Sequence, residues 1–274
     1  MQYRDLKFFA EVVAPHLGSS HGMLEGDAPQ WQSFMTDDGT PLELSWDWGT
    51  SDKSPIIRYS IEPIGQHAGT LLDLRNLKVG PAFQNQLGRA LPDMRLDWFY
   101  HFDKFFNTRT EKDTELDKDV KDHNTSIFYA FDLSESKVTA KTYFFPKYRA
   151  QIHGQSRLEV LSQAIQSAPY VTGDNLEAWS VAHDFFSDTG NVGLEHEMLA
   201  IDHIDPLKSR IKVYFRSRET SFKSVISVMT LGGRITNPKV YQGLDDLARL
   251  WRALFGDGIP LDQPLSEVGH LQRI

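Results

Sequence analysis

The chain has 274 residues, 29 Lys plus Arg against 37 Asp plus Glu, and a formal net charge of −8. That length suits one large domain or two small ones, and a hydrophobic fraction of 40% with 17 Phe excludes a disordered composition. The absence of cysteine excludes disulfides and thiolate chemistry and suits a reducing compartment; the negative charge argues against nucleic acid or an acidic membrane as the main partner, and no apolar run approaches the roughly 20 residues of a membrane span.

The opening MQYRDLKFFAEVV carries charges through its first turns and reads as helix, not as a signal peptide. Leu6, Phe9 and Val13 share a face, and Pro15 ends the run. Residues 18 to 40 form a loop rich in Gly, Ser and Asp. A pattern of two strands followed by two helices then appears three times. The strand pairs are PLELSWDWG (41 to 49) with PIIRYSIEPIG (55 to 65), NTSIFYAFDL (124 to 133) with KVTAKTYFFPKYRA (137 to 150), and LEHEMLAIDHI (194 to 204) with SRIKVYFRSRE (209 to 219). Their links are short and turn-like, so each pair is predicted to be an antiparallel hairpin.

The helices announce their starts and stops. Ser156 with Glu159 forms a capping box ahead of Leu158, Leu161 and Ile165, and Asp174 with Glu177 repeats that spacing ahead of Trp179. SFKSVISVMTLGG reads as a helix stopped by Gly232 and Gly233. In VYQGLDDLARLWRALFG, the residues Leu244, Leu247, Trp251 and Leu254 make an apolar stripe that ends at Gly256. Between the first and second pairs, EKDTELDKDVKD (111 to 122) is a charge run expected to be solvated.

In the strands, apolar and polar residues alternate, so one face is buried and the other is polar. The polar face carries Glu43, Ser45 and Asp47, then Arg58, Ser60 and Glu62, then Thr139, Lys141, Tyr143 and Phe145, and lastly Arg210, Lys212, Tyr214 and Arg216. A sheet of this kind with helices on its apolar side points to a barrel with a wet or ligand-filled lumen. Arg58, Lys141, Arg210 and Lys212 in an enclosed space call for negative partners. Internal carboxylates such as Glu43, Glu62 and Asp202 supply part of these, and a bound diphosphate would supply more. The bland alternative is a solvent-exposed sheet face on which cations need no partner.

Other chemistries are not encoded. Asp245 and Asp246 are followed by Leu-Ala-Arg and make no DDxxD. His196-Glu197 is followed by Ala200 where a zinc site needs a second histidine, so no metal site is expected.

The segments GTPLELSWDWG, IIRYSIEPIG, AKTYFFPKYRA, MLAIDHIDPLKSRIKVYFRS and SFKSVISVMTLGGR resemble those of the fungal aromatic (indole) prenyltransferases of the dimethylallyl tryptophan synthase type. The resemblance runs through nearly the whole chain. It implies an α+β fold, the ABBA prenyltransferase barrel, whose ten antiparallel strands surround a solvent-filled lumen and are ringed by helices. It implies transfer of a dimethylallyl group from dimethylallyl diphosphate to an indole-type acceptor, such as tryptophan or a cyclic dipeptide, in alkaloid biosynthesis. By the same resemblance Arg58, Lys141, Arg210 and Lys212 bind the diphosphate, and Tyr143 and Tyr214 shield the allylic cation. Glu43 accepts the indole N–H. No cofactor and no obligatory metal is implied. The expected location is cytoplasmic, with no nucleic acid or membrane partner and a homodimer left open.

The sequence departs from the family pattern in three places. Residues 1–274 read as a single prenyltransferase domain that starts inside a helix. It holds about six of ten strands, so its C-terminal strands are expected to be missing. The alternative reading is a truncated, catalytically inactive remnant of such an enzyme. Some relatives carry a lysine facing the lumen on the strand before AKTYFFP, whereas NTSIFYAFDL has none.

Overall fold

A computed structural model describes residues 2–18, 31–48, 55–107, 124–188 and 193–268. The charge run at 111 to 122 lies outside the described residues. One six-stranded sheet has the order β1 (Leu42–Asp47), β2 (Ile56–Ile61), β3 (Ile127–Leu133), β4 (Val138–Phe144), β5 (Leu194–Asp202), β6 (Ile211–Ser217). Each strand neighbours the next in sequence, and the pairs from β1–β2 through β4–β5 are antiparallel. This is the order that hairpin-by-hairpin assembly predicts.

The chain divides into two compact units, residues 1–170 with 197–214, and residues 171–196 with 215–274. In the first unit the apolar alternates of the sheet form one face, with Tyr59, Ile61, Tyr129, Phe131, Phe144, Leu199 and Ile201 all buried. Helices α2 (Val79–Ala90) and α3 (Asp97–Asn107) lie on that face through an aromatic layer. Phe83 meets Tyr129 edge-on at 4.8 Å between ring centroids, and Phe99, Phe102 and Phe106 surround Phe144 at 5.9, 6.0 and 5.9 Å. Every third or fourth residue of α3 is aromatic, which aims the rings at the sheet.

Helix α1 (Gln2–Phe8) corrects one expectation. It continues through Phe9–Val13 as a turn closed by i→i+5 bonds, with Ala14 N–H donating to the Phe9 carbonyl. The wider turn shifts the phase of the buried face. Phe8, Val12 and Val13 are buried, whereas Leu6 is exposed.

The second hairpin is followed by three helices where two were expected: α4 (Lys147–His153), α5 (Arg157–Gln166) and α6 (Glu177–Ser187). The strand in KVTAKTYFFPKYRA stops at Phe144 because Pro146 has no N–H for the ladder and starts α4 instead. The Ser156–Glu159 capping box is present at α5. Ahead of α6 the box is one formed by Thr172 and Asn175, two residues earlier than the Asp174–Glu177 spacing suggested.

In the second unit, Phe186 of α6 packs on His196 and Phe215, at 4.7 and 5.0 Å between centroids. Helix α7 (Phe222–Met229) is capped by Ser221, and α8 (Pro238–Phe255) by Asn237. Phe222 and Trp251 join these two helices at 5.3 Å. Gly256 ends α8 at φ +98°, a conformation that side-chain-bearing residues rarely adopt.

Candidate functional site

The polar alternates of β1 to β5 share one face, and the strand register arranges them in rows. Glu43, Ser60, Ala130, Lys141 and Asp202 form one row of directly paired residues. Ser45, Arg58, Asp132 and Thr139 form the next. Lys141 and Glu43 are therefore three strand spacings apart, roughly 14 Å along the sheet.

At the centre is Asp132. Its carboxylate accepts hydrogen bonds from both Arg58 Nε and Lys141 Nζ. A second carboxylate does similar work beside it. Asp202 accepts from Lys212 Nζ at 2.9 Å, with Arg210 Nε at 3.9 Å. Tyr143, one step along β4 on the same face, meets Tyr214 at 5.7 Å between centroids and an angle of 51°. Five of the seven residues expected at the site, Arg58, Lys141, Lys212, Tyr143 and Tyr214, thus gather around two carboxylates. Arg210 precedes β6 and is 75% exposed, so it sits at the margin of this cluster. Glu43 stands apart from it, exposed on the edge strand β1 at the far end of its row.

The electrostatics follow from this arrangement. Lys141 is only 6% exposed, although it is a cation. Burial pushes its ammonium below the usual lysine range; the Asp132 bond opposes the shift, and Arg58 and Lys212 add to it. Burial would raise the Asp132 carboxyl, but its bonds to Arg58 and Lys141 outweigh this and hold it below the carboxylate range. The same Asp132 bond raises Arg58. Burial, with Tyr214 close by, pushes the Tyr143 phenol upward, so it stays neutral. Burial of Lys141 thus works against its charge while the bond to Asp132 supports it, and Tyr143 stays a neutral ring.

One expectation is corrected. Glu62 does not balance these cations. It lies just past the end of β2, is 1% exposed, and accepts from Ser33 Oγ at 2.5 Å and Thr125 Oγ1 at 3.0 Å. Phe145, just past the end of β4, keeps to the polar face: it is buried edge-on against Phe128, the partner of Tyr143, at 4.9 Å. Asp132 was missed, although its strand position carried a signal: it is the charged residue in IFYAFDL, with the parity of Phe128 and Ala130 on the face opposite Tyr129 and Phe131.

Glu62 gives a pH prediction. Burial pushes its carboxyl up to about 7, against hydrogen bonds from Ser33 and Thr125 that lower it. The folded chain thus keeps a proton there that the unfolded chain releases near the ordinary value of 4.5. Between those two values the folded state binds more protons, so stability falls as pH rises through the window. Urea titrations at acid and neutral pH should show this fall. Glu62→Gln should remove a component on the order of 3 kcal/mol, and an unchanged pH profile would show that Glu62 is not its source.

Comparison with known proteins places this geometry in context. The family model described as tryptophan dimethylallyltransferase matches residues 1–268. The 4-O-dimethylallyl-L-tyrosine synthase of Claviceps purpurea is 34% identical over 249 residues, which cover 90% of this chain and 55% of that protein. The 7-dimethylallyltryptophan synthase of Aspergillus fumigatus is 36% identical over 266 residues, covering 93% of this chain and 56% of that protein. The crystal structure of AnaPT from Neosartorya fischeri superposes with a TM-score of 0.82 at 29% identity, over 93% of this chain and 63% of that one. The chain spans little more than half the length of the curated relatives it matches. The α+β fold of an antiparallel sheet with helices on one face is thus that of the aromatic prenyltransferase barrel, with six of its strands present among the described residues.

Proposed function

The chain belongs to the tryptophan dimethylallyltransferase family, and from that premise we propose that it serves the transfer of a dimethylallyl group from dimethylallyl diphosphate to an indole-type acceptor, within one prenyltransferase domain of fungal secondary metabolism. The observation that carries this reading is the gathering of Arg58, Lys141 and Lys212 beside the Tyr143–Tyr214 pair on one sheet face. The C–O bond of the donor breaks with its electron pair leaving on the diphosphate. Fixed cations stabilise that developing charge without reorganising, so we assign no obligatory metal to the step. The allylic cation is held against the tyrosine rings by cation–π attraction and kept from water. An aromatic carbon donates its π electrons to the new C–C bond, and the ring then loses its proton.

Glu43 is assigned to the acceptor. Its place at the end of the Lys141 row leaves roughly 14 Å along the sheet, room for an indole ring between carboxylate and diphosphate. A carboxylate there orients the ring through its N–H and draws off positive charge as the bond forms. The named relatives act on tyrosine oxygen and on tryptophan, so both amino acids and a tryptophan-containing cyclic dipeptide are the acceptors to test. No helix among the described residues is long and apolar enough to cross a membrane, and we place the reaction in the cytoplasm.

The test is an incubation of this chain with dimethylallyl diphosphate and each acceptor in EDTA, read by mass spectrometry for one added isoprenoid unit. A prenylated indole is expected. Glu43→Gln should lower kcat/KM for that acceptor by roughly 10- to 100-fold, the worth of a hydrogen bond to a charged group, while leaving pyrophosphate binding unchanged. If a cooperatively folded sample yields no prenylated acceptor, the proposal is wrong for this chain.

A further inference from the structure

The buried cations do not stand free on the sheet. They are divided between two carboxylates, Asp132 for Arg58 and Lys141, and Asp202 for Lys212 with Arg210 at its margin. Asp202 pairs with Lys141 in the register of β4 and β5, but the short ionic contact of its carboxylate is to Lys212. We infer that Asp132 is the positioning residue of the diphosphate site, clamping the Lys141 ammonium and the Arg58 guanidinium on one carboxylate so that both face the same space before the anion arrives. The inference rests on the prenyl-transfer reading of this face.

The surroundings of Lys141 show why such a clamp is needed. Arg58 faces it from β2 and Lys212 from β6, and both repel it. Tyr143 lies on its own strand beside Tyr214. Asp132 from β3 and Asp202 from β5 face it from the two adjoining strands, and the first makes the direct bond. Along β3 the other residues of the same parity are Phe128 and Ala130, which offer no charge. Burial and the two neighbouring cations all disfavour the ammonium, and the bond to Asp132 opposes them. The four cations still outnumber the two carboxylates, so the face remains attractive to a diphosphate while Asp132 stays in place. Asp132 thus supports the charge on Lys141 and fixes two donors at once, which lowers the reorganisation needed when the donor binds.

Calorimetric titration of the whole chain with inorganic pyrophosphate in EDTA, from about pH 6 to about pH 10, tests this. For the parent chain, affinity should be lost on the alkaline side as Lys141 gives up its proton. In Asp132→Asn the alkaline loss should move down by about one pH unit or more, and neutral-pH affinity should fall about tenfold. Asp132→Glu should recover most of both, which a role in folding alone would not produce. Equal or tighter binding by Asp132→Asn with an unmoved pH profile would overturn the inference. Should Asp132→Asn not fold, carbon NMR of labelled lysine side chains in the parent chain decides instead, with Lys141 assigned through Lys141→Arg. An ammonium signal for Lys141 at neutral pH is expected, and a neutral amine there overturns the clamp. Absence of pyrophosphate binding by the parent chain counts against the prenyl-transfer reading, while the NMR titration still reads the hold of Asp132 on Lys141.

Discussion

Lys141→Ala is expected to lower prenyl transfer by about 100- to 1,000-fold, the usual loss when one fixed charge-stabilising donor is removed from a water-poor site. Lys141 sits in the middle of the sheet at 6% exposure, so its charge acts through little intervening water. The substitution deletes an ammonium whose burial is itself unfavourable, and Asp132 keeps its bond to Arg58. Folding should therefore survive, with a melting temperature equal to or above that of the parent chain. Single-turnover kinetics with dimethylallyl diphosphate and the preferred acceptor measure the chemical step, and pyrophosphate titration measures the ground-state share. A loss below about threefold in both would remove Lys141 from the diphosphate site.

Phe144→Ala should cost about 3–5 kcal/mol of stability, the range for truncating a buried phenylalanine. Phe144 is fully buried and touches Phe99, Phe102 and Phe106, so three rings of α3 lose a common partner. The helix cannot collapse onto the vacated space without moving the sheet it covers, so the cavity persists. Its strand neighbour Tyr143 points to the other face, into the candidate site. Loosening β4 should thus reach the site as well as the core. The shift in urea midpoint gives the stability change. An unchanged midpoint would mean that the aromatic layer repacks freely and does not anchor α3 to β4.

The site was legible in part because strand alternation is a local property. Arg58, Lys141, Tyr143, Lys212 and Tyr214 could be put on one polar face from their parity within each strand, and the structure brings them together. Glu62 had the same parity as Arg58 and Ser60, yet it lies past the last residue of β2 and turns into a pocket of Ser33 and Thr125. Parity holds only while the strand lasts, and the strand end was set by packing.

The sequence by itself determined the hairpins, the capping box at Ser156, the stops of the last helices and the polar face with its cations. Each of these depends on residues within a few positions of one another, where propensity and period suffice. Only the tertiary structure decided which carboxylate meets which cation. Asp132 binds Arg58 from 74 residues away, and Asp202 faces Lys141 across a register set by the whole sheet. It also decided how deeply Lys141 and Glu62 are buried, and so in which direction their protons are held. Burial and non-local pairing arise when distant segments pack, and no local pattern of residues contains them.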